Sequence, residues 1–320
     1  MNKKVLPIGG GTGLATLLRG IKHIKGIDIV CIVTMMDDGG SSGRLRKEFG
    51  VVPPGDIRNC LLALSEKEDL LSKLFSYRFP VKGDKPEVGG HSLGNLLLIA
   101  MSDIFGGIQK AVSATSEILS IKGKVLPVTL QTANLVAQLE NGEIVKGESK
   151  ISQSSSQIKK LKIVPRQVKH YPEVEKNILD SDMIIIGPGS LFTSLIPPLM
   201  FDGIVDSIKK SKAKKVFICN IMTQPGETNN YTVSMHIDKI YEHCKYKFEF
   251  DYIIVNTGKI PLNLLNHYVR QNSFPVKVDY DKLKKFKSKI IYGNFVPQQR
   301  VGKYLRHDSE KITKKIRELL

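Results

Sequence analysis

Short, continuously apolar runs, each followed directly by a glycine-rich or polar segment, constrain the fold of this chain most strongly. Asp28–Thr34 is one such run, and its unbroken apolar core is typical of a strand buried on both faces. Segments with helical periodicity, such as Thr12–Lys25, lie between the runs. This alternation predicts an α/β fold with a doubly wound, mostly parallel sheet. The other predicted strands of this sheet are Lys4–Ile8, Lys124–Val128, Asp182–Ile186, Lys214–Cys219 and Asp251–Val255.

Residues 130–163 interrupt the α/β pattern. Leu135–Glu140 and Glu143–Glu148 flank Asn141-Gly142, a dipeptide that suits the type I′ turn of a β-hairpin. Ile151–Gln157 is rich in serine and is predicted to be a loop. We therefore expect one α/β domain over residues 1–320, carrying a small antiparallel β-hairpin insertion near 130–163.

Composition narrows the function classes. The formal net charge of +17 is compatible with nucleic-acid binding, but the lysine runs lack interleaved aromatic residues and Trp is absent, which favours a lysine-rich surface. No run of about 18 apolar residues predicts a membrane span, and the N-terminus does not resemble a signal peptide, so we expect a cytoplasmic protein. The four cysteines are isolated in sequence, which argues against a zinc site.

The first predicted strand ends in a glycine-rich turn that opens a helix. Glycines allow the backbone to approach a phosphate closely, and a helix N-terminus offers free N–H groups. Leu14 stands where a dinucleotide fingerprint has its third glycine, and no lysine follows as in a P-loop, so a dehydrogenase is disfavoured. A tight turn without a ligand is the alternative. The candidate phosphate-binding residues are Gly9, Gly10, Gly11, Thr12 and Gly13.

The second strand is followed by paired carboxylates, glycines, hydroxyls and an arginine. Two aspartates after a strand suit Mg²⁺ or ribose hydroxyls, adjacent glycines can form an anion-binding nest, and an arginine can clamp a phosphate. A solvated polar loop over Asp37–Gly43 is the alternative. The candidates are Asp37, Asp38, Gly39, Gly40, Ser41, Ser42 and Arg44.

Further polar segments begin helices or follow strands. Asp56 is a candidate ligand residue or only the N-cap of its helix, and His91 is a candidate proton carrier or a structural histidine. Because ligands of open parallel sheets bind beyond the carboxyl ends of the strands, we expect the loops after four of the strands to share one edge. The remaining candidates from these segments are Arg58, Asn59, Asn95, Gly187, Gly189, Ser190, Asn220, Thr223, Gln224 and Arg306.

Taken together, these segments resemble the bacterial gluconeogenesis factor (YvcK-like) family, which is related to 2-phospho-L-lactate transferase (CofD). The matching stretches are GGGTGL at 9–14, DDGGSSGRLR at 37–46, PPGDIRN at 53–59, GHSLGNLL at 90–97, VKGES at 145–149, GPGSLFTSLIP at 187–197 and CNIMTQPGET at 219–228. The resemblance implies a Rossmann-like fold, binding of a UDP-sugar such as UDP-N-acetylglucosamine, and a regulatory role in carbon use, cell-wall precursor supply and cell shape. It also implies ligand contacts at Tyr268 and Arg306.

Three functions compete at this point. A nucleotide-sugar sensor without turnover needs a binding crevice and a protein partner, but no general base. A transferase related to CofD would act on a nucleotide-linked donor, with Asp37, Asp38 and Asp56 holding Mg²⁺ against the charge of the phosphoryl group. A nucleic-acid binder would use the basic surface. We favour the sensor; homo-oligomerisation is compatible with all three.

Overall fold

A seven-stranded sheet forms the centre of the protein. The computed structural model describes residues 2–66, 68–81, 88–245, 247–297 and 305–320. The sheet contains β1 (Lys3–Gly9), β2 (Ile27–Val33), β3 (Lys124–Pro127), β7 (Met183–Ile186), β8 (Lys214–Ile218), β9 (Tyr252–Asn256) and β10 (Lys289–Gly293). A second sheet contains β4 (Asn134–Leu139), β5 (Ile144–Lys146) and β6 (Ile158–Val164).

Helices connect the strands and flank the larger sheet. One of them begins with a π-helical turn, Leu191–Leu195. The α-helices are α1 (Gly11–Ile21), α2 (Gly40–Phe49), α3 (Gly55–Leu64), α4 (Glu68–Ser76), α5 (Leu93–Phe105), α6 (Ile108–Ile118), α7 (Glu148–Ile151), α8 (Pro172–Leu179), α9 (Ile196–Leu199), α10 (Ile204–Lys210), α11 (Val233–His243), α12 (Leu262–Val269), α13 (Tyr280–Leu283) and α14 (Ser309–Leu319).

The larger sheet is doubly wound, as the alternating pattern predicts. Its strand order is β10-β9-β8-β7-β1-β2-β3, and every neighbouring pair is parallel. The chain runs outward from β1 to β2 and β3 on one side, and from β7 to β10 on the other. The topological switch point therefore lies between β1 and β7, and ligands of such sheets bind there. The loops after β1, β2, β7 and β8 share one edge, as expected.

Burial explains why the continuously apolar runs are the central strands. All four residues of β7, Met183 to Ile186, are at most 1% exposed because neighbouring strands and helices cover both faces. On α1, the predicted stripe of Leu14, Leu17, Leu18 and Ile21 is buried, while the opposite face remains accessible. Burying each such side chain contributes roughly 1.5–3 kcal/mol.

The smaller sheet confirms the predicted hairpin and extends it. β4 and β5 pair antiparallel around Asn141-Gly142, with Ala137 opposite Val145. β6 adds a third strand on the other side of β4, giving the order β5-β4-β6. The sequence analysis does not predict β6, because its lysines break the alternation that marks a strand.

Three local predictions are wrong. The first helix ends at Ile21 and not at Lys25, where a turn leads into β2. The predicted loop Asp37–Gly43 already contains the start of α2 at Gly40. Asp56 is not an N-cap: Pro54 occupies that position of α3, and Asp56 lies in the first turn.

Two further predictions concern the whole chain: that it has no membrane span and that it forms one domain. Within the described ranges, no single helix is both long and apolar enough to cross a bilayer, and two bent helix pairs reach that length and composition only when their members are combined. The assignment of residues 1–320 to one domain stays a prediction.

Asp308 begins the terminal helix α14, which packs against α1. Its Oδ1 accepts hydrogen bonds from the backbone N–H groups of Glu310 and Lys311, both at 3.1 Å. We expect Asp308→Ala to lower the free energy of unfolding by about 1 kcal/mol, because these N–H groups lose their partner. Asp308→Asn keeps an acceptor oxygen and serves as the matched control. Urea unfolding of both variants measures the difference; equal stabilities would contradict a capping role.

Candidate functional site

Two glycine turns meet at the switch point of the sheet. The first follows β1 and opens α1, and the second follows β7 and opens the π-helical turn. A Cβ atom added at Gly13 would lie 2.5 Å from the carbonyl oxygen of Pro188 and 3.1 Å from the Cα of Gly189. The two backbones are therefore in direct contact, and only glycine fits at position 13. Both turns face a common cleft.

This switch-point cleft has a volume of about 370 Å³. Small-molecule sites in proteins typically measure about 300–1,000 Å³. The predicted site residues that line it are Gly10, Gly11, Thr12, Gly13, Gly189, Ser190, Asn220, Thr223, Gln224, Tyr268 and Arg306. Residues that the site prediction missed also line it: Thr16, Ser152, Ser194, Gln271, Ser273 and His307. Of these, only Ser194 lies in one of the stretches that carry the family resemblance.

Side chains from the loop after β8 hold the second glycine turn. Asn220 forms two hydrogen bonds with Gly189, accepting from its N–H at Oδ1 (3.1 Å) and donating from Nδ2 to its carbonyl oxygen (2.7 Å). Gln224 donates from Nε2 to the hydroxyl of Ser190 at 2.8 Å. Because both backbone groups of Gly189 pair with one side chain, Asn220 fixes the orientation of this turn.

Arg306 closes the opposite side of the cleft. Its Nε and Nη2 donate to Thr12 Oγ1 at 3.0 and 2.6 Å, which places the guanidinium over the N-terminus of α1. The backbone N–H of Leu305 donates to the hydroxyl of Tyr268. Tyr268 belongs to a small apolar cluster with Ile221, which also lines the cleft. The residues implied by the resemblance, Tyr268 and Arg306, thus lie on one wall.

Glu227 is a buried carboxylate that stabilises the start of the π-helical turn. It accepts hydrogen bonds from the backbone N–H of Phe192 (3.0 Å) and the hydroxyls of Thr193 (2.8 Å) and Ser152 (3.2 Å). Burial raises the pKa of Glu227, and these hydrogen bonds oppose the shift. A carboxylate near free N–H groups of a helix start is electrostatically favourable. Glu227 therefore connects three segments around the cleft.

Carboxylates from three segments lie beneath the first glycine turn. Asp56 accepts a hydrogen bond from the backbone N–H of Gly11, and burial together with the charge of Asp37 raises its pKa to about 7. Burial and the charges of Asp37 and Asp56 raise the pKa of Glu148 to about 8. Glu148 was not among the predicted site residues, although it lies in the matching stretch VKGES.

The three aspartates proposed as Mg²⁺ ligands do not fit a shared metal site. One oxygen of Asp38 is already engaged: its Oδ1 accepts the backbone N–H of Ser149 at 2.8 Å, at the start of α7. Within the described residues, no group of three or more His, Cys, Asp or Glu side chains is arranged to hold a metal ion.

Several predicted residues form a second polar network outside the lining of the cleft. Asn95 donates from Nδ2 to the Ser41 hydroxyl (3.0 Å) and accepts from Arg58 Nη1 (3.0 Å), while Ser41 Oγ lies 3.0 Å from His91 Nδ1. Burial, with Arg44 nearby, lowers the pKa of His91, which favours the neutral ring. The network joins α2, α3 and α5.

Other predicted residues also lie outside the cleft lining. Arg44 donates to the carbonyl oxygen of Gly89 at 2.6 Å, and the Asn59 side chain accepts from Arg58 at 2.9 Å. The ligand role assigned to these residues and to the polar network stays a prediction. The complete set outside the lining is Gly9, Asp37, Asp38, Gly39, Gly40, Ser41, Ser42, Arg44, Asp56, Arg58, Asn59, His91, Asn95 and Gly187.

The contact between the two turns makes a testable prediction. Gly13→Ala places a methyl group against the Pro188 backbone, so we expect the free energy of unfolding to fall by roughly 1–3 kcal/mol. Gly39→Ala is the matched control, because its nearest neighbour would be Asp37 Oδ1 at 3.5 Å, an ordinary contact. Chemical unfolding compares the two variants. Equal losses of stability would contradict the close approach.

The raised pKa of Asp56 predicts a pH dependence of stability. The unfolded value is 3.8 and the folded value about 7, so the native state retains a proton that the unfolded chain releases. The stabilising contribution is complete below about pH 4 and is lost as the pH rises through about 7. The free energy of unfolding of the wild-type protein should therefore fall between about pH 5 and about pH 8. In Asp56→Asn this fall should be smaller by on the order of 2 kcal/mol, because the carboxyl that titrates is absent.

Urea unfolding at the two pH values measures this difference. Asp281→Asn, a substitution on the surface where the side chain is 93% exposed, is the control and should keep the wild-type dependence. If Asp56→Asn retains the full dependence as well, the buried carboxyl is not its source.

Comparison with known proteins agrees with this geometry. The model of the family "2-phospho-L-lactate transferase CofD" matches residues 5–296. The chain is 44% identical to the gluconeogenesis factor of Bacillus subtilis over 317 residues, covering 99% of this chain and 98% of the relative. It is 46% identical to a putative gluconeogenesis factor of Nostoc sp. over 311 residues, covering 97% of this chain and 67% of the relative.

A solved structure is similar over the same length. The crystal structure of protein BH3568 from Bacillus halodurans superimposes with a TM-score of 0.93 at 44% identity and covers 99% of both chains. The mostly parallel seven-stranded sheet with a small antiparallel sheet is therefore an architecture that a close relative shares.

Proposed function

Because this chain belongs to the CofD family and is similar to its gluconeogenesis factors over nearly its full length, we propose that it is a regulatory protein that binds a nucleotide-sugar. The ligand class is that of UDP-N-acetylglucosamine, with the diphosphate at the two glycine turns. The proposed regulation concerns gluconeogenic carbon use, cell-wall precursor supply and cell shape. Its location in the cytoplasm and the formation of homo-oligomers stay predictions.

The observation that carries this proposal is the pair of helix starts that face one cleft beside a guanidinium. The first turns of α1 and of the π-helical segment line the cleft, and backbone N–H groups at helix starts stabilise phosphate oxygens. Arg306 lies at the N-terminus of α1, where its charge adds to that of the helix dipole. A diphosphate satisfies both groups of donors at once.

The remaining wall suits a nucleoside or sugar. Ile221, Met222 and Tyr268 give it an apolar surface, while Thr223 and Gln224 add polar groups at its edge. A mostly apolar wall with few polar groups is the usual composition of small-molecule sites. Binding without turnover requires no general base, and Glu227, the buried carboxylate in the cleft lining, is occupied with hydrogen bonds to the protein.

The transferase alternative has less support. A phosphoryl-type transfer needs a cation against the developing charge, and among the described residues no group of three or more His, Cys, Asp or Glu side chains is arranged to hold a metal ion. Incubation with Mg²⁺, guanylylated phospholactate and a deazaflavin acceptor should yield no new species. Formation of the phospholactyl product would establish the transferase and reject the proposal of a purely binding protein.

Isothermal titration with UDP-N-acetylglucosamine tests the binding function. We expect Arg306→Ala to weaken binding at least about tenfold, because a charged donor to the diphosphate is lost. Arg270→Ala, which removes an exposed arginine outside the cleft, is the matched control and should bind like wild type. Uridine, which lacks the diphosphate, should bind much more weakly than the nucleotide-sugar.

Two outcomes would reject this assignment. Failure of the wild-type protein to bind any UDP-sugar at millimolar concentration removes the function itself. Equal weakening by both arginine substitutions would show that general surface charge, and not the Arg306 position, attracts the ligand.

A further inference from the structure

A second concave surface lies between the small antiparallel sheet and the helices after β7 and β8. We call it the β6 groove; its volume is about 710 Å³, and it shares no lining residue with the switch-point cleft. Residues 160–164 of β6 form one side, and the α9–α10 connection and the end of α11 form the other. It is thus a separate candidate site.

The strand beside this groove has an unpaired edge. In the order β5-β4-β6, β6 pairs with β4 and with no other strand in the described part of the chain. An edge strand presents N–H and C=O groups along one side, which an added strand can satisfy. The groove therefore borders a row of backbone donors and acceptors.

Positive charge dominates the rim of the groove. Among the described lining residues, Asp202 and Asp206 are the acidic ones, and Asp206 is ion-paired with Lys247 at 2.7 Å. Four of the five cationic lining residues are exposed, and Lys247 is half-buried. The five cations are Lys160, Lys162, Arg166, Lys245 and Lys247.

The floor of the groove is apolar. Leu161 is 3%, Leu199 2% and Phe201 3% exposed, while Val164 at the end of β6 is 45% exposed. A strand with alternating acidic and apolar residues would direct one set of side chains to the floor and the other to the cationic rim. The apolar floor, the cationic rim and the free edge of β6 thus all favour an extended chain with alternating acidic and apolar side chains.

We propose that the β6 groove binds an extended acidic segment of a partner protein, which pairs with β6 as a fourth strand of the small sheet. Backbone hydrogen bonds along the edge supply affinity, and the lysines select acidic side chains. This site is independent of the nucleotide-sugar function and supplies a surface through which a regulator contacts its partner.

The charges disfavour two other occupants. A second copy of the chain would oppose β6 with the same lysines, and like charges on neighbouring strands are destabilising. A nucleic acid would profit from stacking on exposed aromatic rings, but among the described lining residues Phe201 is buried and His243 is half-buried. An extended acidic polypeptide can pair with the edge of β6, contact the cationic rim and cover the apolar floor at the same time.

Fluorescence anisotropy with a labelled peptide of alternating Glu and Val, about ten residues long, tests this site in the full-length protein. We expect binding near physiological salt, and hydrogen–deuterium exchange should show new protection of β6 amides when the peptide is present. The double variant Lys160→Glu/Lys162→Glu should weaken binding at least about tenfold. Lys284→Glu/Lys287→Glu makes the same change in charge at residues that are 77% and 86% exposed and should bind like wild type.

The same Glu–Val peptide with every backbone nitrogen methylated carries the same charge and side chains but cannot donate backbone hydrogen bonds, so it should bind at least about tenfold more weakly. Equal affinity for both peptides, or equal weakening by both double variants, would overturn the proposal in favour of general electrostatic attraction. Tighter binding of a single-stranded RNA of equal length would overturn it in favour of a nucleic-acid surface. Self-association through β6, detected by sedimentation, would overturn it in favour of a second copy.

Discussion

The backbone contact between the first turn of α1 and Pro188–Gly189 is the constraint on which the site depends. It requires β1 and β7 to be parallel neighbours at the switch point, so that both strands end at the same edge. It also requires the absence of a side chain at Gly13. Once these backbones touch, two helix starts line one volume, which is the arrangement that favours anion binding.

The side chains around this contact act mainly on backbone positions. Asn220 holds Gly189, Glu227 holds Phe192, and Asp56 holds Gly11. In each case a side-chain acceptor pairs with an N–H group at or near a glycine turn. The cleft is thus pre-organised before a ligand arrives, which lowers the conformational entropy that binding must remove.

The charge beneath the first glycine turn is opposite in sign to the net charge of the chain. The chain carries a net charge of +17, yet carboxyls of Asp37, Asp56 and Glu148 lie together below the first glycine turn. Their mutual repulsion and burial raise the pKa values of Asp56 and Glu148 to about 7 and about 8. Protonation near neutral pH lowers the negative charge below the first glycine turn. The lysine-rich exterior meanwhile attracts anions over longer distances.

Sequence patterns predicted the features that depend on burial and failed where tertiary contacts override them. The continuously apolar runs identified β1, β2, β7, β8 and β9, because strands covered on both faces leave no room for polar alternation. β6 and β10 are edge strands without a long apolar run: three lysines interrupt β6, and the apolar run of β10 is only Ile290 to Tyr292.

The serine- and glycine-rich start of α2 is another such failure. Local propensity favours a loop there, but Ser41 and Ser42 are buried, and Asn95 of another helix donates hydrogen bonds to both hydroxyls.

The small antiparallel sheet is more than an insertion on the surface. Asp38, after β2, caps α7, and Ser152, directly after α7, contacts Glu227 and lines the switch-point cleft. The segment that connects β5 to β6 therefore forms part of the cleft wall, while β6 borders the groove on the other side. Any free-energy coupling between occupants of the two sites must be reciprocal. If a nucleotide-sugar in the cleft raises the affinity of the groove for a partner, the partner raises the affinity of the cleft for the nucleotide-sugar by the same factor.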